Sequence, residues 1–342
     1  MEKKQRQYKV AVLGAGSWGL TLADVLNNNS HSVTVWEYDP RQALALENER
    51  VFPPLSGYRV PGEIRITDSL SRAVIDAEII VVSVPSPAIA RVAELLTGCE
   101  FPRGAVVIST VKGFEYETLL SPSEVLGKSL GRRVRIAALS GPSHAEEVVR
   151  KIPTAVVAAS SSKKTRKLVQ EVFSNIYFRV YTSSDIKGVE FGGALKNVIA
   201  IAAGIAGGMG MGDNTRAALI TRSTAEIMRL GESMGASAKT FSGLSGIGDL
   251  IVTCFSEHSR NFRFGRFIGE GLSFEEALSR MDTTVEGVNT AKCVRRLAEK
   301  FGVQMPLCFK VCEMLFEGKH PGEAWKELML RPLKSEDDDT QE

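Results

Sequence analysis

The chain has 342 residues, with Lys+Arg 42 set against Asp+Glu 40, a formal net charge of +2 and 44% hydrophobic residues. This balance excludes a wholly disordered chain, and it leaves no bulk excess of positive charge for binding nucleic acid. At roughly 150 residues per domain, the length calls for two domains.

The ends are uneven: residues 1–9 carry four basic residues against one acidic, and residues 334–342 five acidic against one basic. Both are expected as solvated tails, the acidic one disordered. The apolar run after the basic start is only about five residues long before glycines break it, too short for the core of a secretory signal. Val198 to Met211, the most apolar stretch, falls short of the roughly 20 residues that span a bilayer, so no integral membrane segment is expected. Five scattered cysteines without a C-x-x-C pair point to a reducing cytoplasm. Cys308 and Cys312 lie four apart on a predicted helix and read as packed thiols, so no metal site is expected.

Runs rich in Val and Ile predict strands at Lys9 to Leu13, Ser32 to Trp36, Ile79 to Val84, Ala105 to Ser109, Val134 to Leu139 and Thr154 to Ala158. Helical patterns such as Trp18 to Asn27 and Arg41 to Glu49 separate the first three, the spacing of βαβ units. The expected fold is α/β, with a doubly wound, mostly parallel sheet over residues 1–185. After the cap-forming cluster Thr182-Ser183-Ser184-Asp185 the pattern turns helical, with helices predicted at Ala217 to Gly235, Thr284 to Gly302 and Leu307 to Gly318. Residues 186–333 are therefore expected as an all-helical substrate domain.

Gly14-Ala15-Gly16-Ser17-Trp18-Gly19 follows the first predicted strand and opens the first helix. In that context Gly14 permits the tight turn, Gly16 admits a pyrophosphate to the backbone, and Gly19 lets helix and strand pack closely, which makes the first domain Rossmann-type and dinucleotide-binding. Glu37 and Tyr38 end the second strand, where such folds read the adenosine ribose. A carboxylate there accepts bonds from both ribose hydroxyls and repels a 2′-phosphate, so NAD is expected over NADP, although Arg41 lies close in sequence.

In Phe191 to Gly212 the only polar residues besides glycine are Lys196 and Asn197. On a helix, Lys196 projects from a face of small and apolar groups, the setting of a functional lysine. Lys112 leaves the end of a strand in Ser109-Thr110-Val111-Lys112-Gly113. Ser140-Gly141-Pro142-Ser143-His144 also follows a strand, with a helix expected from Pro142. Gly246-Ile247-Gly248-Asp249 and Ser259-Arg260-Asn261 lie in the helical half. From the residues alone, a hydroxy-acid dehydrogenase and a non-catalytic NAD-binding sensor stay open beside a dehydrogenase of phosphorylated substrates.

Seven stretches in this order, LGAGSWG, STVKG, LSGPSHAEEV, VEFGGALKNVIAIAAG, GIGDL, SRN and VEG, resemble the bacterial-type NAD(P)-dependent glycerol-3-phosphate dehydrogenases, over about Lys9 to Lys334. The resemblance implies interconversion of dihydroxyacetone phosphate and sn-glycerol 3-phosphate, feeding phospholipid synthesis, with Lys196 as the proton-transferring group. It also implies a homodimer. Lys112, Gly141, Ser143, Lys196, Asp249, Ser259, Arg260 and Asn261 match substrate-contact positions. Ser17, Trp18, Lys112, Ala145, Arg260 and Glu286 match cofactor contacts, beside Gly14, Gly16, Gly19, Glu37 and Tyr38. Thr284 stands next to Val-Glu-Gly, where the family carries an apolar residue, and is counted with the cofactor set.

The chemistry is consistent with those roles. A lysine of ordinary pKa near 10.4 is about 3.4 units from its free base at pH 7, so deprotonating it costs roughly 4.6 kcal/mol. As an ammonium acid in ketone reduction it meets no such cost. Arg260 can form paired hydrogen bonds to a phosphate, with Ser259 and Asn261 as neutral donors. His144 is the rival proton donor.

Overall fold

A computed structural model describes residues 6–281, 283–333 and 335–336. The first five residues and almost all of the acidic stretch 334–342 lie outside the described residues, and with them the expectation of solvated tails.

The strands are β1 (Lys9–Leu13), β2 (Ser32–Trp36), β3 (Arg65–Thr67), β4 (Ile79–Val82), β5 (Ala105–Ser109), β6 (Val134–Ser140), β7 (Thr154–Ala159) and β8 (Phe178–Ser183). They form one sheet in the order β3-β2-β1-β4-β5-β6-β7-β8. Every neighbouring pair is parallel except β6 and β7. The order 3-2-1-4 reverses direction at β1, which puts the first strand's loop at the switch point where such sheets bind ligands.

The sequence of each central strand shows why the sheet is covered on both faces. Side chains alternate across a strand. Val10 and Val12 of β1, Ile79 and Val81 of β4, and Val106 and Ile108 of β5 pack into one core. Ala11 and Leu13, Ile80 and Val82, and Val107 pack into a second core on the other face. Continuous apolar runs, rather than alternating ones, are what a doubly covered parallel strand requires.

The helices follow as α1 (Ser17–Asn28), α2 (Pro40–Glu49), α3 (Leu70–Val74), α4 (Ile89–Thr97), α5 (Pro122–Leu130), α6 (Ala145–Val148), α7 (Lys163–Phe173), α8 (Ile186–Gly208), α9 (Asp213–Ser233), α10 (Ala238–Phe241), α11 (Asp249–Phe255), α12 (Arg260–Gly269), α13 (Phe274–Ser279), α14 (Glu286–Phe301), α15 (Pro306–Phe316) and α16 (Pro321–Met329). Their starts are chemically marked: Asp39 caps α2 ahead of Pro40, Ser121 and Glu124 form a capping box on α5, and Ser259 caps α12.

The chain divides into two compact units. One takes the chain up to Glu115 and then Leu120–Glu190, and the other takes Tyr116–Leu119 and the chain from Phe191 onward. The division falls inside α8, after Glu190, while Asp185 serves as the helix's start by accepting a 2.9 Å bond from Gly188 N.

Three expectations need correction. β3 and β8 are additional strands, the first only three residues long and the second carrying Arg179 and Tyr181 on its exposed side. The helix expected from Pro142 begins at Ala145 and lasts one turn, because His144 is still extended at ψ 126°. The apolar segment is also longer than Val198 to Met211 suggests. Among the described residues α8, with 23 residues, is the one helix long and apolar enough to cross a membrane, and its apolar window is wholly buried within the protein.

Candidate active site

In the first unit the glycine loop leaves β1 and enters α1. Gly14 has φ +106°, and a Cβ on it would sit 2.5 Å from the Ser83 carbonyl oxygen. A Cβ on Gly19 would lie 1.9 Å from the Gly14 oxygen, so both positions are closed to any side chain. Gly16 differs: a Cβ there would meet nothing within 4 Å. Its backbone faces open space at the N-terminus of the 12-residue α1, where free N–H groups and the helix dipole favour an anion. This opening fits the pyrophosphate of a dinucleotide.

Glu37 stands at the end of β2 and is tied to this loop. Its Oε2 accepts from Ala15 N at 3.3 Å and its Oε1 from Asp39 N at 3.1 Å. Tyr38 is 74% exposed with its ring edge-on to Trp36. Ser17 occupies the first position of α1. Trp18 packs toward Phe178, and its buried indole Nε1 has no hydrogen-bond partner among the described residues.

Lys112, Gly141 and Ser143 come together at the carboxyl edge of the sheet. Thr110 follows β5 and anchors that loop by donating through N and Oγ1 to Val82 O. Lys112 Nζ then donates to Gly141 O at 3.1 Å, and Ser143 Oγ donates to the same carbonyl at 2.8 Å. Gly141 has φ +146°, which a side chain rarely adopts, and its Cβ would press on Val156 Cα at 3.0 Å. Ala145, buried, starts α6 just beyond.

In the second unit Lys196 is only 6% exposed on α8. Its ammonium donates to Asp249 Oδ1 in a short contact and to Thr253 Oγ1 at 2.7 Å. Asp249, fully buried, is the first residue of α11, and Thr253 lies one turn further on the same face. The Thr253 hydroxyl donates its own hydrogen to Asp249 O at 2.6 Å, so its lone pairs are left to receive the lysine. Thr253 was not singled out in the sequence, although its i, i+4 spacing from Asp249 signals a shared helix face.

Close helix packing sets the second cluster. A Cβ on Gly204 would lie 2.0 Å from Phe262 O and one on Gly265 2.1 Å from Ile201 O, so α8 and α12 touch backbone to backbone. They run in the same direction, with Asn261 Nδ2 donating to Asn197 Oδ1 at 3.0 Å and Asn261 Oδ1 accepting from Gly287 N at 2.9 Å. Asn261 is thereby committed on both ends of its amide. Ser259 Oγ accepts from Phe262 N as the cap of α12. Arg260 points outward, its Nη1 3.4 Å from Thr283 Oγ1. Glu286 begins α14, and Thr284 is exposed two residues before it.

Comparison with known proteins identifies the family. The family described as NAD-dependent glycerol-3-phosphate dehydrogenase matches through its N-terminus at residues 9–166 and its C-terminus at residues 185–326. The chain is 49% identical over 331 residues to glycerol-3-phosphate dehydrogenase [NAD(P)+] of Moorella thermoacetica, covering 96% of this chain and 97% of that one. It is 47% identical over 328 residues to the protein of the same name from a Thermoanaerobacter species, with 96% and 98% covered. Among solved structures, glycerol-3-phosphate dehydrogenase from Coxiella burnetii superposes with a TM-score of 0.91 at 36% identity, covering 95% of this chain and 99% of that one. The chain belongs to the NAD-dependent glycerol-3-phosphate dehydrogenase family, and as such is an oxidoreductase that interconverts dihydroxyacetone phosphate and sn-glycerol 3-phosphate with NAD or NADP.

Proposed function

We propose that Lys196 moves the proton in this reaction. The observation that carries the reading is its ammonium, buried on an otherwise apolar stretch of α8 and aimed by the Asp249 carboxylate and the Thr253 hydroxyl. Bound dinucleotide supplies the hydride chemistry. In the reducing direction Lys196 gives a proton to the oxygen of the reacting carbonyl as that oxygen gains charge, and in the oxidising direction it takes the proton back. Asp249 and Thr253 hold its N–H bonds in one direction, so the lysine reaches the reacting oxygen without a search through rotamers.

The remaining residues divide by unit. In the first, Gly14, Gly16, Ser17, Trp18, Gly19, Glu37, Tyr38 and Ala145 serve the dinucleotide, and Lys112, Gly141 and Ser143 serve the substrate, Lys112 meeting the cofactor as well. In the second, Arg260 takes the phosphate with paired guanidinium bonds, Ser259 and Asn261 set the start of α12 that carries it, and Thr284 and Glu286 are assigned to the cofactor by the family resemblance. Glu37 favours NAD. The product feeds phospholipid synthesis in the cytoplasm, and the working form is a homodimer, as the family resemblance implies.

The test is NADH oxidation with dihydroxyacetone phosphate by Lys196→Met. Turnover is expected to fall by about 10²–10⁴ with NADH binding retained. Near wild-type turnover in that variant, together with its loss in His144→Ala, would move the proton-transfer role to the histidine.

A further inference from the structure

A cavity of about 550 Å³ opens at the opposite edge of the sheet from the glycine loop. Glu78 and Ile79 stand at the amino end of β4, Gly104 and Ala105 at that of β5, Arg135 near that of β6, and Tyr8 just before β1. The fourth wall is α7, through Lys164, Lys167, Leu168 and Glu171. With five residues in β5 at about 3.3 Å each, the two edges of the sheet are roughly 15 Å apart, so this cavity is not an arm of the dinucleotide site.

Its charge is one-sided. Arg6, Arg103, Arg135, Lys164 and Lys167 line it against Glu78 and Glu171. Arg6 is engaged by Glu78. Arg135 is held by its Nε, which donates to Gly104 O at 3.0 Å and leaves both terminal nitrogens without a protein partner among the described residues. Arg103, Lys164 and Lys167 likewise have no ion pair or hydrogen bond among the described residues. Arg103, Lys164 and Lys167 are exposed and Arg135 is half-buried, so together they set a net positive potential over the concavity that the two glutamates only partly offset and that attracts anions. Tyr8, Pro102 and Leu168 supply an apolar side of a size to lie against an organic group.

We propose that this cavity is a binding site for a small molecule carrying two or more phosphate charges. Guanidinium groups that are fixed, as Arg135 is, suit phosphate oxygens in paired geometry, and the lysines add mobile charge around them. Binding here is separate from catalysis and from the dinucleotide site.

The test is calorimetric titration of the full chain at saturating NADH, which fills the dinucleotide site, with inorganic triphosphate and with ATP in low salt without magnesium. Saturable binding of triphosphate or ATP, weakened about tenfold or more in the double variant Arg103→Gln, Lys167→Gln with NADH affinity unchanged, supports the site. Tighter binding of ATP than of triphosphate marks a nucleotide as the ligand, and equal binding marks a free polyphosphate. Absence of binding by either probe at millimolar concentration, binding that survives the double substitution, or binding that saturating NADH abolishes overturns the proposal. So does capture on phosphatidylglycerol vesicles without any binding of triphosphate, which assigns the charge to a membrane surface.

Discussion

Gly192 lies so close to Ser245 that a Cβ on it would be 2.4 Å from the Ser245 carbonyl oxygen. The contact joins the turn of α8 preceding Lys196 to the single wide π-helical turn Leu244–Gly248, which delivers Asp249 at the head of α11. The obstacle is backbone rather than the end of a flexible side chain, so Gly192→Ala must push the segment away and carry Asp249 off the lysine. The substitution is expected to destabilise the protein by about 1–3 kcal/mol, as overpacking does. It should lower kcat on the order of 10²-fold, the scale of a 1 Å misplacement in a catalytic arrangement. Thermal melting and steady-state kinetics check both.

Thr253 separates orientation from charge. Thr253→Val keeps the shape of the side chain and removes the oxygen that receives Lys196, while Thr253→Ser keeps the oxygen. A drop in kcat of about tenfold is expected for valine, the worth of one hydrogen bond to a charged group, and near wild-type turnover for serine. Equal losses in the two variants would show that the methyl group, through packing, is what matters at this position.

These two residues mark the boundary of what the sequence could reveal. Strands buried on both faces announce themselves as apolar runs, and the glycine loop has a distinctive spacing between strand and helix, so the first unit was legible apart from β3, β8 and the late start of α6. Lys196 stood out for a related reason: it is an ammonium in a stretch of small residues. Thr253 did not, because a threonine four residues after an aspartate is ordinary on any helix until the partner opposite it is known. The same holds for Glu190, which reads as one more acidic residue in VEFGG but is buried against Ser121 and Ser123, far earlier in the chain. Glycines 204 and 265 could have been paired from the sequence only by guessing that two helices meet backbone to backbone.

The proposed preference for NAD is tested at Glu37, whose carboxylate is fixed beside the loop by Ala15 N and Asp39 N. A 2′-phosphate placed at this strand end meets a like charge, a repulsion on the order of 1–2 kcal/mol at a half-exposed position. Glu37→Ser should therefore raise kcat/KM with NADPH relative to NADH by about tenfold. Comparable efficiency of the two cofactors in the unmodified enzyme would remove Glu37 as the selector.

Burial lifts the Glu190 carboxyl to about 7 from its ordinary 4.5, against the lowering effect of bonds from Ser121 Oγ, Ser123 N and Ser123 Oγ. Below pH 4.5 both folded and unfolded chains hold this proton. Between about 4.5 and 7 the folded state keeps a proton the unfolded state has lost, so this group's contribution to stability declines as pH rises, by up to about 3 kcal/mol in total. Glu190→Gln removes that dependence and can keep the contacts, its oxygen accepting from Ser123 N and its amide donating to the serine hydroxyls. The melting temperature of the variant minus that of the wild type is expected to increase from pH 5 to pH 8. A flat difference would show that Glu190 titrates alike in both states.

Glu226 is raised to about 7 by burial as well, yet the same substitution has the opposite expectation at low pH. Its two oxygens each face a backbone donor at the start of α15, Oε1 receiving Leu307 N at 2.8 Å and Oε2 receiving Cys308 N at 3.3 Å. These are helix N-terminal donors with no partner inside the helix. Glutamine has one acceptor, so in Glu226→Gln an amide hydrogen must confront one of these backbone N–H groups at a buried position, a loss of about 1–3 kcal/mol. At pH 6 Glu226→Gln should melt several degrees below wild type while Glu190→Gln does not, because hydroxyl partners can reverse a hydrogen bond and backbone donors cannot. Equal melting temperatures for the two variants at that pH would refute this distinction.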